Sequence, residues 1–468
     1  MKRAKRLWIL LAVLVVVCIA TVGVMRFEEH KEQIKNSGEV ILSISPDNVT
    51  ALSWEHGEES LAFHRDGDWR YDEDEYFPVD SGKMAELLNV FEAMSASFII
   101  EEVEDFDQYG MGDPVCTIRV TTESRSYEIV LGAYSTMDSL RYLTIGDGNV
   151  YLVTKDPMDE FEVVLSDMID HDEMPALSKV DKLTFSGAED YELRYEEESV
   201  HTYGANDLYF TERGGKTVPL DTTRVEDYLK VIKYLAPTEY VTYNVTAEEL
   251  ETFGLATPEL TVTAEYTVEE EEKEVKETFV LHVGRNREEM KAAEEKTEEG
   301  KETDYSSVTA YVRVGESPIV YKISNSNYEK LVACGYNDLR QAYALTADIS
   351  TLLQFDILLD GAEYSFTSQK VEDALTYYYG EEELNILDFR SELKSIKAMS
   401  FTDEAPTLKE EISITVRLDN ENFPQVHLAF YRYDGTHCLF RLNGESVSLV
   451  ERATVVDLME EVYQIVLG

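Results

Sequence analysis

Phe106-Asp107-Gln108-Tyr109-Gly110-Met111-Gly112-Asp113-Pro114 and Leu250-Glu251-Thr252-Phe253-Gly254-Leu255-Ala256-Thr257-Pro258 share an aromatic–Gly–apolar–x–x–Pro pattern. An alternating run follows each, Cys116-Thr117-Ile118-Arg119-Val120 in one and Leu260-Thr261-Val262-Thr263-Ala264 in the other. Period two predicts strands with one buried face. The likeness continues downstream. Tyr127-Glu128-Ile129-Val130-Leu131-Gly132 aligns with Phe279-Val280-Leu281-His282-Val283-Gly284, and Asn149–Val153 aligns with Ile319–Ile323. Pro157–Phe161 and Asn325–Glu329 then each start a short helical stretch. Similarity that persists through successive segments marks a duplicated folding unit.

It extends upstream as well. Pro78-Val79-Asp80 opens a helix carrying Met84, Leu87, Leu88, Phe91 and Met94, and Pro219-Leu220-Asp221 opens another carrying Val225, Tyr228, Leu229, Ile232 and Leu235. This spacing gathers the apolar side chains on one helical face. Asp80 and Asp221 are the expected N-caps, because a short carboxylate can accept from the orphan N–H groups of a first turn. Leu61–His64, a turn at Asp66-Gly67 and Trp69–Tyr71 form a hairpin ahead of the first helix.

A third, degenerate copy closes the chain. Leu353–Leu358 and Tyr364–Phe366 supply its first strands, and Ile386-Leu387-Asp388 opens a helix with Leu393, Ile396 and Met399. Ile412–Leu418, Val426–Tyr431, Cys438–Leu442 and Val447–Val450 supply further strands, with a tight turn at Asn443-Gly444. The aromatic–Gly signature is missing there. Each unit reads strand–strand–helix, then four strands and a short helix, over about 120–150 residues, an ordinary domain size. Short turns rather than helical crossovers join the strands, so the sheets should be mainly antiparallel. The expected fold is α+β: an N-terminal transmembrane helix, then two to three repeated domains with one packed helix each.

The N-terminus sets the other expectations. Lys2, Arg3, Lys5 and Arg6 precede an uncharged apolar run, Leu7–Met25. As a helix it would span about 28 Å, close to the hydrocarbon thickness of a bilayer. Basic flanks stay in the cytoplasm, so the body should lie on the far side of the membrane. A cleaved signal peptide would have a shorter apolar region and a small-x-small site, which Thr21-Val22-Gly23-Val24-Met25 does not offer. A lipoprotein reading would use Cys18, but Val17 precedes it where a small residue is needed. The expected organisation is a cytoplasmic tail (1–6), the membrane anchor (7–25) and a linker (26–45). Repeat domains follow at 46–172, at 178–335 with an acidic insertion at 285–304, and at 345–468.

Composition narrows the partners. The 468 residues are 44% hydrophobic with 29 Tyr and 18 Phe, enough for real cores. A formal charge of −51 would repel nucleic acid and anionic lipid, and its simplest role is solvation. Only Cys116, Cys334 and Cys438 lie in the body, widely spaced, which excludes a disulfide scaffold and a Cys-based metal site. Cys116 and Cys438 should pack as small hydrophobes inside strands. Residues 285–304, rich in Glu and Lys, read as a solvated loop or exposed helix.

Trp69-Arg70-Tyr71, Pro78-Val79-Asp80, Tyr109-Gly110-Met111 through Pro114 and Leu131-Gly132 resemble the bacterial domain-of-unknown-function family 4340. In the second copy the corresponding residues are Pro219-Leu220-Asp221, Phe253-Gly254-Leu255 through Pro258 and Val283-Gly284. These are packing and turn residues, not reactive ones. The resemblance implies a membrane-anchored exported protein, often encoded beside ABC-type export systems and gliding-motility-like auxiliary subunits. It implies no catalytic residues.

A search for chemistry gives no catalytic, cofactor-binding or metal site to commit to, and no cofactor is expected. Gly214-Gly215-Lys216-Thr217 lacks the upstream Gly of a phosphate loop, since Phe210 stands there, and reads as a turn. Pro114 and a strand follow Tyr109-Gly110-Met111-Gly112, where a dinucleotide fingerprint needs a helix. Gly315-Glu316-Ser317-Pro318 breaks the nucleophile-elbow pattern in what reads as a hairpin turn. The 8 histidines form no zinc spacing, and His64 and His282 lie on strands. Asp66, Asp68, Asp72, Glu73, Asp74 and Glu75 lack the order and terminal Glu of a calcium loop.

The expected function is a membrane-anchored extracytoplasmic accessory or binding protein beside an ABC-type permease or another envelope protein. It would be single-pass, with its N-terminus in the cytoplasm. Two alternatives stay open: a cell-envelope hydrolase using a carboxylate pair, and a structural or adhesive surface module.

Overall fold

The computed structural model describes residues 38–467 except 102, 178, 271–272, 299 and 372–373. The apolar run Leu7–Met25 lies outside them, and among the described residues no helix is long and apolar enough to cross a membrane. The chain divides into two compact units, one ending at His171 and the other starting at Asp172. The first contains one nine-stranded sheet and the second contains two.

The strands of the first sheet are β1 (Glu39–Leu42), β2 (Val49–His56), β3 (Glu59–Asp66), β4 (Asp68–Tyr71) and β5 (Met94–Ile100). They continue with β6 (Cys116–Thr122), β7 (Ser126–Ser135), β8 (Leu140–Thr144) and β9 (Val150–Val153). The second sheet has β10 (Val180–Gly187), β11 (Tyr191–Tyr195), β12 (Tyr209–Arg213), β13 (Lys216–Pro219) and β14 (Tyr240–Thr242). It is completed by β15 (Leu260–Glu270), β16 (Lys273–Arg285), β17 (Ala310–Val314) and β18 (Val320–Ile323). The third has β19 (Leu352–Leu359), β20 (Ala362–Val371), β21 (Ala374–Tyr379), β22 (Glu382–Leu384) and β23 (Ala398–Phe401). Its last strands are β24 (Glu410–Leu418), β25 (Gln425–Arg432), β26 (His437–Leu442) and β27 (Glu445–Glu451).

The second sheet runs β13-β12-β11-β10-β15-β16-β17-β18-β14 and the third runs β22-β21-β20-β19-β24-β25-β26-β27-β23. Counted within each repeat, the two orders are identical. The first sheet, β1-β5-β9-β8-β7-β6-β2-β3-β4, keeps the central pattern and changes both edges. It has no counterpart of β13 or β22, and it adds β1 outside β5. The named strand pairs are antiparallel throughout. The expected α+β class with repeated antiparallel sheets is therefore what the chain adopts, with nine strands per sheet where the sequence pattern had resolved six per unit.

One helix precedes the strand β5, β14 or β23 in each repeat: α1 (Ser81–Asn89), and then, past the short α2 (Met158–Phe161), α3 (Thr222–Lys233). After α4 (Ala247–Thr252), α5 (Arg287–Lys296), α6 (Asn325–Val332) and α7 (Tyr336–Leu339), the third repeat supplies α8 (Leu387–Ser395). Asp80 accepts from the N–H groups of Gly82 and Lys83, and Asp221 from that of Arg224, so both carboxylates cap as expected. Such a cap is worth about 1 kcal/mol. Met84, Leu87 and Leu88 on α1 and Val225, Tyr228, Leu229 and Ile232 on α3 are buried; Phe91, Met94 and Leu235 are buried too, but they lie past the helix ends, Met94 on β5. The chain then clamps itself in the same way twice. Asp80 N–H donates to Met168 O (2.8 Å) and Asp221 N–H donates to Leu339 O (2.9 Å).

The third repeat corrects one expectation. Met399 is not on the helix, which ends at Ser395; it lies on edge strand β23 and is 64% exposed, while Phe389 fills the core. The Asp388 side chain caps nothing, and Asn385 Oδ1 accepts the Leu387 N–H instead (3.1 Å). The last element, α9 (Arg452–Leu467), buries Val455, Leu458 and Val462 and packs on α8. Its pattern was not recognised in the sequence. Within the insertion at 285–304, Arg287–Lys296 forms the exposed helix α5, which has no buried residue, and Arg285 is the last residue of β16.

The aromatic–Gly signature is a packing device. Gly110 and Gly254 have φ of +82° and +71°. A Cβ on Gly132 would sit 2.2 Å from Tyr109 O, and one on Gly284 would sit 2.7 Å from Gly254 O. Two backbones thus touch in each copy. Tyr109 then lies against Tyr142 and Phe253 against Tyr311, with ring centroids 5.1 and 4.6 Å apart.

Candidate functional site

Between β11 and β12 the second repeat carries a long loop, residues 196–208, where the first repeat has only the tight Asp66-Gly67 turn. Long irregular loops in a compact unit are places where function concentrates. This loop is held at two points. Tyr203 leaves its own repeat and packs against the apolar core of the third, its ring 5.6 Å from that of Phe423. Burial pushes its phenol up to about 12, helped by the neighbouring Asp207 charge. The second point is Asp207, a carboxylate only 7% exposed.

Asp207 Oδ2 accepts from the Thr202 hydroxyl at 2.6 Å, and Oδ1 has a long contact of 3.4 Å from Gln341 Nε2. Burial, and then the charge of Asp221, raise its carboxyl above the usual range, against the opposing effect of those hydrogen bonds. The loop wraps closely around it, since a Cβ on Gly204 would sit 2.4 Å from Oδ2.

These residues open into a cavity of about 430 Å³ between the second and third sheets. Its walls come from three places: Asn206 and Asp207 on the loop, Asp221 to Thr223 at the start of α3, and Gln341 to Thr346 on the segment joining the two repeats. Lys394, from the last turn of α8, completes the lining and donates to Ala347 O at 2.9 Å. Thr222 is fixed by accepting the Leu208 N–H at 2.9 Å, and Gln341 Oε1 accepts from the N–H groups of Ala342 and Tyr343. The site therefore offers two carboxylates, threonine hydroxyls, amides and a rim phenol, with its one ammonium already engaged.

Residues weighed from the sequence lie elsewhere. Gly214 and Gly215 make the β12–β13 turn with φ of +58° and +74°, and Ser317 donates from a turn to Asp172 Oδ2 at 2.8 Å. In the acidic hairpin, Asp72 binds His64 (2.7 Å), Glu73 accepts from Tyr71 (3.1 Å) and Asp74 accepts from the Tyr76 N–H (2.9 Å). Among the described residues no group of three or more His, Cys, Asp or Glu could hold a metal ion. His282 contacts Thr261 Oγ1 at 3.0 Å, and burial depresses its imidazole. Cys116 and Cys438 are buried free thiols on strands, as expected, and Cys334 is a third. The sequence reading took Asp221 for a cap only and passed over Asp207. The available signal was the gap between the Tyr-rich strands Tyr191–Tyr195 and Tyr209–Arg213, which is too long for a hairpin turn.

A family profile described as "Domain of unknown function (DUF4340)" matches residues 69–246. The match begins at Trp69 on β4, takes in the first aromatic–Gly signature and the Pro219-Leu220-Asp221 helix start, and stops before Phe253-Gly254. It covers Asp207 and Asp221 and ends short of the third repeat. No curated protein and no solved structure matches the chain.

Proposed function

On the match of residues 69–246 to the DUF4340 family profile, we propose that this chain is a membrane-anchored extracytoplasmic binding subunit that serves an ABC-type transport system. Leu7–Met25 is its anchor, and the cavity around Asp207 is its ligand seat. The observation that carries the reading is the loop 196–208. Repeats two and three share one topology, and the element that breaks their likeness builds a polar cavity between them. Repetition supplies a rigid frame, and the insertion supplies the site.

Affinity purification of the full chain from detergent-solubilised membranes tests the role. Co-recovery of a permease or its ATPase supports it, and recovery with no transporter component under mild conditions overturns it. A cavity variant, Asp207→Asn, should leave the complex intact while changing what the transporter moves.

A second reading has one specific observation in its favour. A carboxylate whose proton is held tightly (Asp207) and a second carboxylate (Asp221) line the same cavity, as the acid and base of a glycan hydrolase would. Release of reducing ends from cell-wall glycan by the purified chain, lost in Asp207→Asn, would favour it over the binding role.

A further inference from the structure

Charge and hydrogen-bonding capacity in the cavity are unbalanced in one direction. Asp207 is 93% buried by its 7% exposure, yet its Oδ1 receives only the long contact from Gln341. Asp221 spends one oxygen on capping α3, and the nearest guanidinium, Arg224 Nε, stands 3.8 Å from the other. Lys394 does not offset the two acids at short range, because its ammonium is directed at Ala347 O. Buried acceptors without full-strength donors are costly, and a ligand that brings donors removes the cost. The rest of the lining can both give and accept at the Thr222 and Thr223 hydroxyls and the Asn206 amide. Gln341 adds only the second hydrogen of its Nε2, because its Oε1 is taken by the Ala342 and Tyr343 N–H groups.

Resting on the binding role proposed above, we infer that the cavity takes a small amino-polyol, a molecule with one protonated primary amine among hydroxyl groups. The ammonium sits between Asp207 and Asp221. It supplies three donors where acceptors are in excess, while the ligand hydroxyls exchange hydrogen bonds with the threonines and amides. A volume of about 430 Å³ falls at the lower end of small-molecule sites, which suits one such unit rather than a polymer segment. An anion is disfavoured by both carboxylates. A purely neutral polyol would leave the excess negative charge uncompensated.

Calorimetry on the full chain in detergent tests this with four probes of similar size: glucosamine, glucose, N-acetylglucosamine and glucuronate. Glucosamine should bind at least tenfold more tightly than glucose or N-acetylglucosamine, and glucuronate should give no heat. Asp207→Asn and Asp221→Asn should each weaken glucosamine at least tenfold. Both substitutions keep side-chain size, and Asn also caps helices well, so cooperative melting no lower than the parent's and unchanged circular dichroism would show that the fold survives. Equal affinity for glucosamine and glucose, tighter binding of glucuronate, or variants that bind as well as the parent would each overturn the inference. Binding of glucose or glucuronate would remove only the amine and leave the cavity as a ligand seat. No binding by any probe, together with unchanged transporter recovery and transport in Asp207→Asn, would remove the seat as well.

Discussion

The second and third repeats have one strand order and two different corners. In the second, Glu259 immediately precedes β15 and pairs with Arg285 at the end of β16, with Nη2 2.9 Å from Oε2. The Tyr328 hydroxyl donates to the same carboxylate at 2.7 Å, and the guanidinium lies over the Tyr305 and Tyr328 rings. In the third, the corresponding acid is Glu411, the residue before Ile412, just as Glu259 precedes Leu260. Its partner is Arg452, the first residue of α9, with Nη2 3.0 Å from Oε1 and Nε 3.1 Å from Oε2. The acid keeps its place while the arginine moves from a strand to a helix. The reason lies beside it. Gly284 of the second repeat faces the Phe253-Gly254 turn, whereas Tyr431 stands at that register in the third, where residues 402–409 form no helical turn. A conserved topology thus tolerates a relocated ion pair as long as the buried carboxylate is matched.

The largest expected effect separates the two corners directly. Glu411 is 3% exposed and has Cys438 Sγ as its other donor at 3.3 Å, so Arg452→Met leaves a buried charge almost unsupported. Loss of one partner of such a pair costs about 3–5 kcal/mol. In the second repeat the Glu259 side chain is 20% exposed and keeps Tyr328, so Arg285→Met should cost about 1–2 kcal/mol. Urea denaturation of the two variants at neutral pH measures the difference, and equal losses would break the comparison. Replacing both partners, with Glu411→Leu added to Arg452→Met, should recover most of the loss, because a well-packed apolar pair can equal a buried ion pair.

The glycine contact comes next in size. A methyl group on Gly284 would meet Gly254 O at 2.7 Å and Phe253 O at 2.9 Å, and both are backbone atoms that cannot swing away. Gly284→Ala should therefore cost about 2–3 kcal/mol, within the range for forced core contacts. At the matching register Tyr431→Ala removes a half-buried ring and should cost about 1 kcal/mol. Thermal unfolding of both variants is the check. A tolerated Gly284→Ala would mean that the signature residues do not hold the turn to the sheet.

The same corners explain what could be read from the chain beforehand. Alternation exposed β6 and β15, which bury every second side chain, and β24 through its alternate apolar residues Ile412, Ile414, Val416 and Leu418, while helical spacing exposed α1 and α3. Edge strands such as β14 and β22 are three residues long and carry no period to detect. Strand β23 misled because Met399 continues the spacing of Leu393 and Ile396 past the point where the helix stops. The arginine partners could not be paired in advance, because Glu411 and Arg452 are 41 residues apart and the second repeat uses a different element. The cavity was hidden for a similar reason. Asp207, Asp221, Gln341 and Lys394 come from four separate segments, and only the packing of the second repeat against the third brings them together.

The smallest expected effect concerns the loop that distinguishes the second repeat from the third. Burial raises the Asp207 carboxyl, so the folded chain holds that proton more tightly than the unfolded chain does. The stability this group contributes is then complete at acid pH and is lost as pH rises through the raised value. Above that raised value the ionised carboxylate is a cost, and Asp207→Asn removes it. The variant should melt slightly higher than the parent at pH 7, and the difference should vanish near pH 3, where both side chains are neutral. Because Tyr203 ties the loop to the core of the third repeat, the gain should appear in the melting of both repeats together. Melting curves across that pH range, with fluorescence of a Trp placed at Phe423, measure both points. A variant that melts lower than the parent at pH 7 would mean that the ionised carboxylate supports the loop, and the ligand-free cavity would then be a satisfied one.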